Sequence, residues 1–478
     1  MAQRKTAKQT TPSKPLPDDL PDNLAPPPVE AGGFEPTDLG NADRLAAYYG
    51  DRLRYCQTHA CWYVWDKCRW VEDATCRADS YAELTVRRII REAAHEGDSR
   101  TRSRILDWAK TSQSSFRIDA MLKRARHKLA LAATDLNQHP YLLNCPNGTF
   151  DLETMVFREH RRSDYLTQSI AVAYDPRATC PTWLGFLALV TDGDRALVDF
   201  LQRSCGYLLT GDVGEQCFWL CHGNGGNGKT RLIMAIMELL GDYADKTRFE
   251  SLTVNRNDTV GEDIADLHGA RMVYAAEPQR GARLSESRIK ELCSAEPIKC
   301  RKLYGHPFTY LPQYKVWLHC NEKPRIEDPT HGMWRKVMLV PFNVRIADRV
   351  ERVDIHFGKR LSAELPGILN WCLAGLRDWK AGGLAPPKTV AAATEAYRKE
   401  EDSFSAFLDA CCVKAPEAAT LSGELYAAFA EWSEDKTVGE TAFGNRLRDA
   451  GFVKDRSTKK ETAGRVVWRG IKLKEIHE

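Results

Sequence analysis

Several things are missing from this chain of 478 residues, and each absence narrows what it can be. Fifteen cysteines are present, yet no two stand as Cys-x-x-Cys. The densest group, Cys56, Cys61, Cys68 and Cys76 with His59, is unevenly spaced and reads as a small aromatic β-region rather than a zinc site. A chain this long has no need of disulfide staples, so reduced thiols in a cytoplasmic setting are expected. No apolar run approaches the ~20 residues that span a bilayer, which argues against a membrane partner. The first residues carry charge but no apolar core, unlike a secretory signal. Excess charge is missing too: 68 Lys and Arg face 65 Asp and Glu, for a net +3, so any surface for a polyanion must be local. Internal repeats are also absent.

What is present falls into four segments. Residues 1–36 begin basic and continue as PSKPLPDDLPDNLAPPPVEAGG, where repeated prolines and scarce large apolar groups describe a disordered tail or a docking peptide. Residues 37–180 form a mixed, mainly helical region. WYVWDKCRW (62–70) suggests a half-buried hairpin, and NGT within PNGTFDLET (146–154) an Asn-Gly turn between short strands. Segments 82–96 and 117–133 look helical with basic faces, either solvated or turned to a nucleic-acid backbone. Residues 181–400 alternate apolar runs with helices, as an α/β domain does. The runs are CFWLC (217–221), RMVYAA (271–276), KVWLHC (315–320) and VMLVPF (337–342). Residues 401–478 read as a separate module of helix, helix, strand, basic loop and strand, a winged-helix-like pattern. Its second helix opens on a Thr437–Glu440 capping box and stops at Gly451.

The stretch CHGNGGNGKT (221–230) places four glycines and two asparagines ahead of a Lys-Thr pair. Gly223, Gly228, Lys229 and Thr230 satisfy G-x-x-x-x-G-K-[ST], with Asn224, Gly225, Gly226 and Asn227 between them. Glycine suits a backbone that curls so that successive amides face one anion. An apolar run leads in and TRLIMAIMELLG follows as a helix whose amino end carries partial positive charge. Lys229 is placed to reach β- and γ-phosphates and Thr230 to help hold Mg²⁺, so ATP is the expected ligand.

Hydrolysis also needs an acid at the end of a neighbouring strand, and Glu277 stands directly after RMVYAA. With Thr230 it completes the expected metal set. Asn321 closes KVWLHCN as a neutral amide suited to sensing a γ-phosphate or ordering water. Arg335, with Lys336, precedes VMLVPF and is a candidate cation for a neighbouring subunit's site, which requires a ring-like oligomer.

In their order, GNGGNGKT, DLHGARMVYAAEP, LSESRIKELCSAEPIKCRKLYGHPFTY, KVWLHCNEKPRI and HGMWRKVMLVPF resemble the superfamily-3 helicases. More narrowly, the chain resembles the phage/plasmid primase-helicase family, related to the poxvirus primase-helicase. The likeness runs upstream through TDLGNADRLAAYYGDRLRY, NCPNGTFDLET and FLQRSCGYLLTGD, and downstream into the tail. It implies an AAA+-like α/β core with a parallel central sheet, assembled as a homo-oligomer, usually a hexamer, around DNA. By that resemblance Lys229 and Thr230 are phosphate-loop residues, Glu277 the Walker B acid, Asn321 sensor 1 and Arg335 the arginine finger. RKLYGHPFTY matches the pore hairpin, which makes Arg301, Lys302 and His306 the DNA-contacting residues.

The sequence departs from the family in three places. Gln279 stands where relatives often have a second acid, and Ser294-Ala295-Glu296 where they commonly have Gly-Gly-Asp. Ahead of the helicase part stand about 36 low-complexity residues instead of a primase domain, so primer synthesis is not expected of this chain, and whether a separate primase or polymerase partners it stays open. The resemblance implies an ATP-dependent replicative helicase of a phage, prophage or plasmid, acting in a bacterial host cytoplasm. Its rivals are an origin- or DNA-end-binding protein that uses ATP only to assemble, and a catalytically weak ring suggested by Gln279.

Overall fold

A sheet of five short parallel strands, four of them buried on both faces, organises the larger part of the molecule. The computed structural model describes residues 33–253, 262–276, 282–301, 308–326, 331–349, 354, 356–401, 403–433, 439–456 and 464–474. Its contacts divide the chain into two compact units, one of residues up to 66 and 70–135, the other of 67–69 and 136 onward. The two units divide near residue 135. The physical reason is a shared core: Leu143, Cys145, Phe150 and Leu152 pack in one cluster with Trp183, Phe200 and Trp219.

The first unit opens with helix Asp38–Tyr49, whose cap Thr37 accepts a hydrogen bond from the Gly40 amide at 3.0 Å. A three-stranded antiparallel sheet follows, Leu53–Cys56, Cys61–Trp65 and Trp70–Glu72, so the expected hairpin at 62–70 is real and gains a third strand. Helices Arg77–His95, Ser99–Thr111 and Ser115–Ala125 complete it. Buried Arg44 is held by the Glu92 carboxylate, its Nε and Nη2 donating at 2.8–2.9 Å.

In the second unit the parallel strands are β1 (Phe218–His222), β2 (Ala244–Lys246), β3 (Met272–Ala276), β4 (Lys315–Cys320) and β5 (Val337–Pro341). Four of them are the four apolar runs of the sequence. Their order across the sheet is β5-β1-β4-β3-β2, and every neighbouring pair is parallel. Trp219, Cys221, Tyr274 and Trp317 enter a core on one face, while Phe218, Leu220, Val273, Val316 and Leu318 enter a core on the other. Two buried faces explain why these strands read as unbroken apolar runs instead of alternating ones. Trp219 and Trp317 stack across β1 and β4 with centroids 5.2 Å apart and planes at 12°.

Cations begin two of the strands, and both are buried. Arg271 donates to the carbonyls of Leu209 and Leu142 and lies 4.3 Å from the Tyr243 ring centroid. Lys315 donates to the Thr210 and Gln313 carbonyls, with its ammonium 4.6 Å from the Tyr207 ring. The Leu209 and Thr210 carbonyls close helix Arg195–Leu208, where the helix dipole favours positive charge. Burial holds both cations below their usual pKa.

The 142–158 segment is a second antiparallel sheet, Leu142–Cys145, Gly148–Asp151 and Val156–Arg158. Its register pairs Cys145 with Gly148, so the turn centres on Pro146 and Asn147 and not on the expected Asn-Gly pair. The last segment runs helix Ser403–Cys411, strand Cys412–Leu421, helices Ser422–Trp432 and Glu440–Asp449, then strands Val453–Arg456 and Val466–Leu473. Phe407, Phe429, Phe443 and Trp468 give it a core of its own. Helix Glu440–Asp449 has Gly439 at its cap, and Thr437 of the expected capping box lies outside the described residues. Its stop is as expected: Gly451 takes φ +88°, with Gly451 N–H bonded to the Arg448 carbonyl and Phe452 N–H to that of Leu447. No described helix is long and apolar enough to cross a membrane.

Helices Arg195–Leu208 and Leu365–Gly382 cross in close contact at two glycines. A Cβ on Gly375 would lie 2.0 Å from the Gln202 carbonyl oxygen, and one on Gly206 2.2 Å from the Leu376 nitrogen. Backbone cannot give way as a side chain would. Gly375→Ala is therefore expected to cost about 2–4 kcal/mol, read as a lower denaturation midpoint at unchanged m-value.

Candidate functional site

The strand order creates the site. From β1 the chain crosses to the far edge of the sheet, returns through β3 to β4, and then emerges as β5 on the other side of β1. A crevice at the carboxyl end of β1 follows from that reversal, and such crevices are where open α/β sheets bind ligands. The strand ends are level: His222 pairs with Cys320 and with Pro341. Residues that follow these ends therefore converge.

Between β1 and helix Lys229–Leu240 the loop curls through three left-handed glycines, Gly225 (φ +89°), Gly226 (+62°) and Gly228 (+85°). Gly228 is also sterically fixed, because a Cβ there would meet Val190 Cγ1 at 2.6 Å and Phe186 at 2.9 Å. Lys229 opens the helix and is buried. Its ammonium donates to the Gly223 carbonyl at 2.5 Å, to Asn227 Oδ1 at 3.0 Å and to Asn321 Oδ1 at 3.2 Å. Asn227 in turn donates through Nδ2 to the Phe342 carbonyl at 2.8 Å, and the Ile346 amide donates to the Gly226 carbonyl at 2.9 Å. The loop is thus tied to the ends of β4 and β5. Burial pushes the Lys229 pKa down, and that of neighbouring His222 falls by burial and by the charges of Lys323 and Lys229.

Above this loop lies a cavity of about 610 Å³, within the range of small-molecule sites. Gly225 to Arg231, His319 and Asn321 line it together with apolar Phe186, Leu189, Ile346 and Phe357 and the ion pair Asp354–Arg360. Gly223 and Asn224 do not line it; Gly223 serves from behind, as a Lys229 acceptor. His319 is a lining residue that the sequence reading missed. Its Nδ1 lies 3.2 Å from the Tyr274 hydroxyl, and its signal was only its place two residues before Asn321.

The remaining expected residues divide. Asn321 joins Lys229, and Thr230 lines the cavity beside it. Arg335 is exposed at the amino end of β5, where the Lys336 carbonyl accepts the Phe218 amide at 2.8 Å. That is the opposite end of the sheet from the loop, roughly 20 Å away at the rise of a β-strand. Arg301 is exposed beside a two-stranded hairpin, Ile298–Cys300 with Phe308–Tyr310. Ser294 to Glu296 form the bend into that hairpin, where the Glu296 amide donates to Ser294 Oγ at 3.3 Å. Glu277, Gln279, Lys302 and His306 lie outside the described residues.

A parallel sheet carrying a glycine-rich loop into a helix at its carboxyl edge defines the class: an α/β protein with a cavity over that loop at its switch point. Comparisons narrow that class. Residues 42–192 match the D5 N terminal like family, and residues 221–336 match a family of unknown function (DUF5906). A protein of Acanthamoeba polyphaga mimivirus, provisionally named a helicase, is 27% identical over 66% of this chain and 35% of its own length. A Frog virus 3 protein, also provisionally named a helicase, is 28% identical over 52% of this chain and 27% of its own. An African swine fever virus protein provisionally named a primase is 23% identical over 62% of this chain and 34% of its own. Among solved structures, the apo NrS-1 C-terminal region aligns at TM-score 0.38 and 12% identity, over 62% of this chain and 78% of that one. The chain spans about a third of the length of the curated relatives it matches. The family match over residues 42–192 and the helicase and primase names of these relatives support a primase-helicase family.

Removing the Asn227 side chain leaves the Phe342 carbonyl and the Lys229 ammonium each one partner short. Asn227→Ala is expected to lower stability by about 1–3 kcal/mol, measured by urea unfolding of the ligand-free protein.

Proposed function

We propose that this chain is the ATPase core of a superfamily-3-type replicative DNA helicase of a phage, prophage or plasmid, working as a ring, usually a hexamer, around DNA. The observation that carries the reading is the buried Lys229 ammonium, held between Gly223, Asn227 and Asn321 at the base of a cavity that Thr230 also lines. An ammonium and curled amides suit a triphosphate, and the apolar lining from Phe186, Leu189, Ile346 and Phe357 suits a base. Mg²⁺ fits the donor set, because that ion takes few protein oxygens beside phosphates and water, and the Thr230 hydroxyl supplies one. When bound, the metal would offset phosphate charge. Lys229 would hold the β- and γ-phosphates, Asn321 would orient the terminal phosphate or a water, and Glu277 would take a proton from that water.

The placement of Arg335 supports an assembly. It lies too far from its own cradle to serve there, so as a finger it would serve a neighbour. Exposed Arg301, beside the hairpin Ile298–Cys300 with Phe308–Tyr310, supports contact with a DNA backbone in the channel, where the resemblance would add Lys302 and His306. The last segment, with its own core and its helix–strand–helix–helix–strand–strand order, supports a winged-helix-like module. The same independence favours a second reading, a DNA-end- or origin-binding protein in which ATP drives assembly alone. Strand displacement on a forked duplex separates the two.

Lys229→Ala is expected to lose ATP turnover by about 10²-fold or more while the fold persists by circular dichroism. Unchanged turnover would reject the cradle assignment. Arg335→Ala is expected to lose turnover as a homo-oligomer and to regain part of it when mixed with Lys229→Ala subunits. Absence of complementation at every mixing ratio would remove the finger in trans.

A further inference from the structure

Helix Lys388–Glu401 packs against β5, outside the cavity and apart from every residue assigned above. Its last turn nevertheless grips the segment that leaves β4. The Tyr397 hydroxyl donates to the Pro324 carbonyl, and the Lys323 ammonium pairs with Glu400. That ammonium also sits 5.2 Å from the Tyr397 ring centroid, and the Ile326 amide donates to Glu401 Oε2 at 3.1 Å. Four contacts thus fasten residues 323–326, immediately after Asn321. Tyr397 is fully buried, and burial raises the pKa of Glu401, so neither group is an incidental surface contact.

The same ring reaches a second target. Tyr397 meets Trp334 edge to face at 5.1 Å, and Trp334 directly precedes Arg335. One turn earlier, Thr394 Oγ1 accepts the Leu339 amide at 3.1 Å, within the strand that Arg335 leads into. A single rigid helix end therefore touches the chain on both sides of the question: the segment that presents Asn321 to Lys229, and the segment that presents Arg335 outward. Loops carrying a functional group hold it to geometry only when a rigid element fixes them.

We propose that Tyr397, Glu400 and Glu401 are positioning residues that set Asn321 against Lys229 and Arg335 against a neighbouring copy. They make one brace of the two ends, so that a shift at the cradle is passed to the finger. This rests on the cradle being an ATP site. It goes beyond that reading by assigning control of turnover to a helix that touches no nucleotide. The helix also leads, at residue 401, into the C-terminal module that starts with helix Ser403–Cys411, so the brace is a route between that module and the cradle.

The test compares Glu401→Ala, Glu401→Gln and the double variant Tyr397→Phe/Glu401→Ala in the full chain. Two readouts are needed: steady-state ATP turnover with analogue affinity, and backbone hydrogen exchange across residues 321–326. The double variant is expected to lower kcat about tenfold while affinity for a fluorescent ATP analogue changes less than about twofold. Glu401→Gln, which keeps an acceptor for the Ile326 amide, is expected to keep turnover. Exchange at the Ile326 amide is expected to rise in both alanine variants. Gly375→Ala, destabilised elsewhere in the fold, is the control and is expected to keep kcat. Turnover of the double variant equal to wild type, or a loss matched by Gly375→Ala, overturns the proposal. A wild-type protein that does not hydrolyse ATP overturns the ATPase assignment instead. The brace is then judged on exchange alone, where unchanged protection at Ile326 removes it.

Discussion

The ammonium of Lys229 is where the architecture of the second unit comes together. It reaches back to the Gly223 carbonyl, sideways to Asn227, and across to Asn321 on the neighbouring strand end. Those three oxygens come from two parts of the chain almost a hundred residues apart, brought level only because β1 and β4 are adjacent and in register. A buried cation demands oxygen partners, since an unsatisfied charge in that setting costs far more than a single ordinary hydrogen bond contributes. The loop, the sheet order and the placement of Asn321 are thus one constraint seen from three sides.

Much of this was legible in the sequence because the parallel strands are buried on both faces, and continuous apolar runs such as CFWLC and KVWLHC have few other uses. Their order across the sheet was not legible, since it depends on long-range pairing that no local pattern records. Strand Cys412–Leu421 was missed for a local reason: CVKAPEAATL contains alanine, glutamate and proline, residues depleted in strands. Its pairing with Val466–Leu473 overrides that preference. Helix Ser99–Thr111 was missed because only Ala109 is buried, so there is no apolar stripe to read.

Charged residues were the other blind spot. Arg271 and Lys315 open apolar runs and look like surface residues at strand starts, yet both are buried. Their partners are the carbonyls at the end of helix Arg195–Leu208 and two tyrosine rings, not carboxylates, so no opposite charge nearby in the sequence could have announced them. Lys323 and Glu400 differ, being a partly exposed ion pair, yet their 77-position separation hides them from any local pattern as well. In the site, the glycine pattern located the loop, but the tie from Asn227 to Phe342 and the lining by His319 emerge only once β1, β4 and β5 stand side by side.

The parallel sheet also separates two roles that one site would need together. Every strand points the same way, so all carboxyl ends share one edge with Lys229, and all amino ends share the other. Arg335 precedes β5 and is therefore confined to the far edge, a full strand's length from the loop that follows β1. No rotamer closes that gap. If Arg335 meets a phosphate, another copy of the chain must hold it, and a head-to-tail contact that repeats in this way closes into a ring or runs on as a filament. Each copy would then present a cradle on one side and a cation on the other. What remains to be carried between them is a signal across the sheet, and helix Lys388–Glu401 touches β5 at Thr394, the residue before Arg335 at Tyr397, and the segment after β4 at Glu401.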